Sequence, residues 1–180
     1  GFAHAVALTS GTAATHLALR HLGVGRGDEV WAASLTFIGS VGPAAHEGAR
    51  LTFLDCDEAT WTLDPDLLAE ALAAAARRGR LPKVVIPTDI YGQSCDLDRI
   101  LALCAPYGVK VLCDSAEAMG CAYRGRHAGL GAWAAVYSFN GNKIITASSG
   151  GMLVNLASSS ARLSSGSGAC TSMYSPSGRW

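Results

Sequence analysis

The chain has 180 residues, 49% of them hydrophobic and 16% charged, which suits one α/β domain whose sheet is buried on both faces. Its formal net charge of zero gives no electrostatic reason to expect nucleic acid or an anionic membrane as a partner. The sequence has no apolar run near the roughly 20 residues of a membrane span and no secretory signal.

Short apolar runs alternate with stretches of helical periodicity along the chain. The first run, residues 5–8, predicts a strand, and the Ala- and Leu-rich stretch after it predicts a helix capped by Thr9 or Ser10 and ended by Gly23. Further strands are predicted at 29–33, 51–54, 83–87, 110–113, 134–137 and 152–154. Further helices are predicted at 37–47, 64–78 and 96–107, with a turn at 91–93.

This order of elements is typical of βαβ units and predicts an α/β fold with a mostly parallel sheet and helices on both faces. Ligands of such sheets bind beyond the carboxyl ends of the strands. Asp55, Asp89 and Asp114 follow predicted strands, although an aspartate there can equally cap a helix. The glycines of residues 23–27 do not form a dinucleotide loop, because they follow a helix and precede a strand, the reverse of that motif's order.

The start of the first predicted helix has the features of a phosphate site. Backbone N–H groups of a first helical turn can bind an anion, and here they lie beside Gly11 and the hydroxyls of Ser10 and Thr12. The commoner role of this sequence is a simple helix cap, and that alternative stays open.

Lys143 lies in a polar turn between two core-like segments, five residues after Ser138. Burying an ammonium group is costly unless its charge is used or lost, and a lysine in such a place can act as an amine nucleophile toward an aldehyde or ketone. Taken alone, the commoner arrangement is a lysine whose stem crosses the apolar surface while its amine reaches water.

Pyridoxal phosphate (PLP) needs the groups that these segments offer in combination. Its phosphate binds N–H groups and hydroxyls, its ring nitrogen pairs with a carboxylate, and its aldehyde forms a Schiff base with a lysine. The helix start, Asp114, Ser138 and Lys143 supply this set. We therefore predict PLP as the cofactor.

The same segments resemble the DegT/StrS family of nucleotide-sugar aminotransferases, which have the fold-type I PLP transferase architecture. The resemblance covers about residues 5–154, and the form S-F-N-G-N-K-I-I-T from Ser138 is most similar to transaminases of the UDP-N-acetylbacillosamine type. The matching segments are residues 9–14, 27–30, 34–38, 90–93, 114–120 and 138–143.

The resemblance implies chemical roles for four residues. Lys143 is expected to hold the cofactor covalently and to move the proton between the donor and cofactor carbons. Asp114 is expected to pair with the pyridinium nitrogen, and Asn142 to contact substrate or cofactor beside the lysine. Glu117 stands where related enzymes carry Gln or His near the phenolic oxygen of the ring.

Four further residues are expected to bind the cofactor without reacting. Gly11 and Thr12 would offer backbone N–H groups to the phosphate, and Ser138 a hydroxyl. Phe37 would stack on the face of the ring.

The function that the resemblance implies is transfer of an amino group, from glutamate as donor, to a 4-keto-6-deoxy nucleotide sugar by a homodimer. One alternative is a PLP- or PMP-dependent sugar dehydratase, but that branch of the family has histidine in place of the lysine, and Lys143 argues against it. The other alternative is an inactive or regulatory homologue, or a fragment with the same fold.

The remaining predictions concern metals and domain limits. The six cysteines form no C-x-x-C pair and have no histidine at ligand spacing, so we expect no metal site. Scattered reduced thiols fit a cytoplasmic protein best. Residues 1–155 are expected to form part of a PLP-binding large domain that is truncated. Residues 156–180 contain nine serines and no periodicity, which predicts a disordered or non-native, frameshift-like tail.

Overall fold

The computed structural model of the protein describes residues 2–155, so the prediction for residues 156–180 lies outside the described part. The α-helices within this range are α1 Gly11–His21, α2 Ile38–His46, α3 Pro65–Arg77 and α4 Leu97–Cys104. The nine strands of the described residues are β1 His4–Leu8, β2 Glu29–Ala33, β3 Arg50–Leu54, β4 Val84–Ile86, β5 Lys110–Asp114, β6 Ala122–Tyr123, β7 Arg126–His127, β8 Ala134–Ser138 and β9 Gly151–Asn155.

Seven of the strands form one sheet in the order β1-β9-β8-β5-β4-β2-β3. The neighbours from β8 to β3 are all parallel, whereas β9 is antiparallel to both β1 and β8. The predicted α/β fold with a mostly parallel sheet is therefore confirmed. The sequence did not indicate the hairpin of β6 and β7, whose strands have two residues each.

Helices cover both faces of the sheet, as predicted. Side chains of successive strand residues point to opposite faces, so one strand contributes to the cores on both sides of the sheet. Val30 and Ala32 of β2 belong to the core cluster that contains residues of α1 and α2. Trp31 and Ala33 belong to the cluster that contains residues of α3 and α4. The sheet is thus buried between two helical layers.

The ends of the helices follow from local sequence. Gly23, Gly48 and Gly108 all have positive φ where the chain leaves a helical segment. The predicted helix over 96–107 was too long, since α4 ends at Cys104 and a 3₁₀ turn follows. Pro106 explains the difference, because it has no N–H group for a further α-helical bond. No helix within residues 2–155 is long and apolar enough to cross a membrane.

The carboxyl ends of the parallel strands bring distant segments to one edge of the sheet. Helix α1 begins after β1, and α2 begins after β2. Thr88 follows β4, Asp114 ends β5 and Ser138 ends β8. Ligands of open α/β sheets bind at such an edge.

Candidate active site

A cavity of about 300 Å³ opens at this edge, at the lower end of the roughly 300–1,000 Å³ that small-molecule sites occupy. All eight residues with a predicted role in binding or chemistry line it. They are Gly11, Thr12, Phe37, Asp114, Glu117, Ser138, Asn142 and Lys143. The fold brings the whole predicted set together, while the role of each residue toward a cofactor stays a prediction.

The beginning of α1 forms one end of the cavity. Ser10 is the N-cap, and its Oγ accepts a hydrogen bond of 3.0 Å from the N–H of Ala13. The first N–H groups of a helix have no intrahelical partner, and Gly11 and Thr12 of this turn both line the cavity. A Cβ atom on Gly11 would lie 3.1 Å from Cβ of Ser138, so the Ser138 hydroxyl stands beside these N–H groups. The helix cap is therefore present, and it leaves the first N–H groups of α1 at the cavity, where anion binding stays a prediction.

Lys143 is almost fully enclosed, with 9% of its side chain exposed. Its Nζ donates a hydrogen bond of 2.9 Å to Oε1 of Glu117 and lies 5.8 Å from the centroid of the Phe37 ring. The alternative in which the amine reaches out to water is therefore wrong. The amine stays at the cavity wall, held by a carboxylate and an aromatic face.

Glu117 is held from both sides. Its Oε2 accepts a hydrogen bond of 2.8 Å from the backbone N–H of Tyr91, a residue in the left-handed region with φ of 51°. Burial alone would raise the pKa of Glu117, but the hydrogen bonds from Lys143 and Tyr91 and the charge of Lys143 outweigh burial and lower it below the ordinary 4.5. Glu117 is thus a carboxylate fixed beside the lysine.

Asp114 is a buried carboxylate with 7% exposure. Its Oδ2 accepts a hydrogen bond from Ser40 Oγ, and its Oδ1 accepts one of 3.0 Å from the N–H of Ala116. Burial, reinforced by the charge of Asp89, raises the pKa of Asp114 above the ordinary 3.8 despite these hydrogen bonds and the charge of Lys143. A carboxylate held against the cost of desolvation at a cavity wall is a candidate functional group.

Comparison with known proteins identifies the family of the chain. The model of the DegT/DnrJ/EryC1/StrS aminotransferase family matches residues 1–162. The chain belongs to this family. The predicted resemblance is therefore confirmed, and the enzyme class that the family name states is the aminotransferases.

Two curated relatives cover similar parts of the chain. EpsN of Bacillus subtilis (strain 168), assigned by its name to the pyridoxal phosphate-dependent aminotransferases, is 48% identical over 86% of this chain and 40% of its own length. GDP-perosamine synthase of Caulobacter vibrioides is 42% identical over 85% of this chain and 40% of its own length. The chain thus spans about 40% of the length of these relatives.

A solved structure supports the fold and the cofactor of the family. The PLP form of the sugar aminotransferase Spr1654 of Streptococcus pneumoniae is 31% identical, with a TM-score of 0.77 over 87% of this chain and 42% of that chain. The same protein is also known in a PMP form. The family therefore uses PLP as its cofactor.

The residues around the cavity fit PLP. A phosphate would fit beside Gly11 at the start of the helix. A side chain at position 11 would fill this space against Ser138. Asp114 is a buried acceptor whose charge a protonated ring nitrogen would compensate. The Phe37 ring, 65% exposed in the described chain, offers a flat apolar face on the same cavity.

The other strand-end aspartates take no part in the cavity lining. Asp55 is at the surface and accepts hydrogen bonds from Ser34 Oγ and the N–H of Cys56. Asp89 is fully buried and accepts from the N–H of Cys95 and from Ser115 Oγ. Of the three candidates, Asp114 alone lines the cavity.

The fold also brings Asp89, Cys95 and Cys113 together, with their ligand atoms within 4.8 Å of one another. The hydrogen bond with Cys95, burial and the charge of Asp89 raise the pKa of the Cys113 thiol well above its ordinary value. Metal ions bind the thiolate form, so these surroundings favour protonated, hydrogen-bonded core thiols. The absence of a metal site stays a prediction.

Three hydroxyl residues near Asp114 were missed by the sequence analysis. Thr36, Ser40 and Thr88 are joined by hydrogen bonds and lead to the Asp114 carboxylate. Only Thr36 lies in a segment that the family resemblance had marked. Ser40 and Asp114 are 74 positions apart in sequence, so no local pattern could pair them.

Proposed function

We propose that this chain carries the cofactor-binding part of an aminotransferase that moves an amino group, from glutamate, to the ketone of a 4-keto-6-deoxy nucleotide sugar. The observation that carries the proposal is the enclosed Lys143 amine on the same cavity as Asp114 and the start of α1. The membership of the chain in an aminotransferase family supports it. The activity belongs to the full-length protein, because this chain spans about 40% of the length of its relatives.

Bound PLP would supply an aldehyde carbon that takes up the amino group and a ring that accepts electrons from the reacting carbon. The Lys143 amine would hold and release a proton at its Nζ, with Glu117 at 2.9 Å stabilising its charged form. Asp114 would bind the protonated ring nitrogen. The N–H groups of Gly11 and Thr12 and the hydroxyl of Ser138 would bind the phosphate.

The substrate class rests on the resemblance and on relatives. GDP-perosamine synthase, whose name states a nucleotide-linked sugar as product, shares 42% identity with this chain. The segment from Ser138 to Thr146 resembles that of transaminases of the UDP-N-acetylbacillosamine type, and this resemblance favours an N-acetylhexosamine substrate. Asn142, exposed at the cavity next to the lysine, is the residue that we expect to contact the amino donor or the sugar.

The proposal is tested by cofactor loading of the full-length protein. Addition of PLP should produce the visible absorbance of a lysine-bound cofactor, and borohydride reduction followed by peptide mapping should locate it on Lys143 rather than on Lys83 or Lys110. Lys143→Ala should abolish this absorbance, whereas Lys110→Ala, at an exposed position at the start of β5, should retain it. Failure of the unaltered protein to show the absorbance would contradict the proposal.

Substrate addition separates the candidate functions. Glutamate should bleach the absorbance and release 2-oxoglutarate, and a 4-keto-6-deoxy nucleotide sugar should restore it with formation of the amino sugar. Loss of a sugar hydroxyl without amino transfer would identify a dehydratase, against which Lys143 argues. A loaded protein that responds to neither compound would be an inactive or regulatory homologue.

We also propose that the full-length protein is a cytoplasmic homodimer, with residues 1–155 as part of its PLP-binding domain. Large apolar side chains exposed next to the cavity support self-association. Phe37, Ile38, Tyr91, Ile144 and Ile145 are each more than half exposed and lie within two residues of a cavity-lining residue. Exposed apolar surface of this kind is typical of protein–protein contacts.

A further inference from the structure

A chain of three hydroxyl groups ends on the carboxylate of Asp114. Thr88 Oγ1 lies 2.8 Å from Thr36 Oγ1, and Thr36 Oγ1 lies 2.8 Å from Ser40 Oγ. Ser40 Oγ in turn is hydrogen-bonded to Oδ2 of Asp114. Ser40 is 1% exposed, so its hydroxyl has no access to water that could replace these partners.

The charge of Asp114 fixes the direction of every bond in this chain. An ionised carboxylate only accepts hydrogen bonds, so Ser40 must donate to it. A hydroxyl has one proton, and Ser40 must therefore accept from Thr36, which must accept from Thr88. The three dipoles then all point their positive ends toward Asp114, and each bond strengthens the next.

We propose that Ser40 is a positioning residue for the ring nitrogen of the cofactor, because its hydroxyl, polarised by Thr36 and Thr88, holds Asp114 ionised and correctly oriented. The inference rests on the proposed function, since it needs PLP in the cavity. It adds to that function a group that would act on the cofactor only through Asp114.

The surroundings of Asp114 show why such support is needed. The charged groups that act on it are Asp89 and Lys143. Asp89 opposes the charge of Asp114, and Lys143 is already bound to Glu117. Ser40 and the N–H of Ala116 are thus the direct donors to Asp114 among the described residues.

The hydroxyl chain serves Asp114 and not Asp89. Asp89 has its own donors, the N–H of Cys95 at 2.9 Å and Ser115 Oγ at 2.6 Å. Removing the Ser40 hydroxyl therefore changes the environment of the carboxylate that lines the cavity and leaves the neighbouring buried carboxylate with its partners.

The test compares two cofactors in the full-length protein. One is PLP, and the other is an analogue in which a C–H group replaces the ring nitrogen, so that Asp114 has nothing to bind. The dissociation constants of both are measured for the unaltered protein, for Ser40→Ala and for Ser94→Ala. Ser94 is the matched control, because its Oγ is buried and has no hydrogen-bond partner within residues 2–155.

We expect Ser40→Ala to weaken PLP binding about tenfold, which corresponds to loss of one hydrogen bond to a charged group. Binding of the analogue should change less than about twofold, because the lost interaction acts through the ring nitrogen. Ser94→Ala should leave both constants unchanged. The visible absorbance of PLP in Ser40→Ala should also depend on pH differently from that of the unaltered protein. Without the Ser40 hydroxyl, Asp114 would become protonated at a higher pH.

Equal weakening of PLP and the analogue in Ser40→Ala would overturn the inference, because the hydroxyl would then only support the fold. An unchanged PLP constant would overturn it as well. If Ser40→Ala does not fold, Thr36→Val is tested instead, because it keeps Ser40 and removes the hydroxyl that donates a hydrogen bond to it. We expect Thr36→Val to weaken PLP alone by about threefold, within the range of a neutral hydrogen bond. Absence of PLP binding in the unaltered protein would instead overturn the proposed function, and the inference with it.

Discussion

Burial of the Asp114 carboxylate costs the folded protein stability. It is buried beside a second buried carboxylate, Asp89, and its pKa is raised above 3.8. A raised pKa of an acid means that folding opposes the ionised form, so Asp114 lowers the stability of the ligand-free protein at neutral pH. Binding sites commonly hold such groups at the expense of stability, because the bound ligand compensates for them.

Asp114→Asn should therefore stabilise the ligand-free protein while it weakens PLP binding. The amide keeps an acceptor for the N–H of Ala116 and can donate to Ser40 Oγ, so no hydrogen-bond partner is lost. We expect the free energy of unfolding at neutral pH to rise by about 0.5–2 kcal/mol, the usual size of a stabilising substitution. Urea unfolding with and without PLP measures both effects.

The increase in the free energy of unfolding from Asp114→Asn should become smaller as the pH falls. The cost of the charge is fully present above the raised folded-state pKa, and it disappears as the pH falls to the ordinary value of 3.8 and below, where both states are protonated. Asp55→Asn is the control, because that carboxylate is exposed and hydrogen bonds lower its pKa. A gain from Asp55→Asn equal to that from Asp114→Asn would contradict this explanation.

At the scale of elements, the contact between β9 and the start of α1 fixes the phosphate end of the cavity. A Cβ atom on Gly151, the first residue of β9, would lie 2.2 Å from the carbonyl carbon of Ser10. That carbon belongs to rigid backbone, so a side chain could fit only if the helix start moved away from the strand. Close approach of two backbones is a common reason for glycine in a strand.

Gly151→Ala should therefore destabilise the protein by about 3 kcal/mol or more, at the upper end of the cost of overpacking. Phosphate binding should weaken in parallel, because the displaced helix start carries Gly11 and Thr12. Chemical denaturation and titration with inorganic phosphate measure the two effects. Gly141→Ala in the lysine turn is the control, since no atom lies within 4 Å of its added Cβ, and its stability should stay within about 0.5 kcal/mol of the unaltered value.

The sequence predicted the elements of the sheet well because their signals are local. Apolar runs and helix-ending glycines are recognised from about ten neighbouring residues, and Gly23 follows the end of α1 with positive φ, as predicted. The direction of β9 was not predictable in this way. Its strand pattern says nothing about its neighbours, and antiparallel pairing with β1 and β8 is decided by the path of the loop from 139 to 150.

The site residues were predicted from motifs and from recognisable side-chain chemistry, and groups without such a signature were not predicted. Lys143 and Asp114 carry side chains whose chemistry is recognisable in a sequence. Ser40 carries an ordinary hydroxyl on a helix, and its partner Asp114 lies at the end of a strand that is distant in sequence. The backbone N–H of Tyr91, which holds Glu117, has no sequence signature either.

At the scale of the whole molecule, the apolar residues exposed around the cavity suit a protein–protein interface. The five residues Phe37, Ile38, Tyr91, Ile144 and Ile145 come from three separate segments, yet all are exposed near the same opening. A second copy of the chain placed over this surface would bury them and would also reduce the access of water to Lys143. Association that buries apolar surface is favourable by roughly 25 cal/mol per Å² before its entropic cost.

The double substitution Ile38→Lys and Ile145→Lys should therefore convert a dimer of the full-length protein into monomers. Both side chains are more than half exposed in the described chain, so the change should leave the fold of the monomer intact. Sedimentation velocity measures the association state, and circular dichroism checks the fold. Leu67→Lys is the control, because Leu67 is also an exposed apolar residue but lies on α3, outside the cavity lining. A dimer that withstands the double substitution and dissociates with Leu67→Lys would place the interface elsewhere.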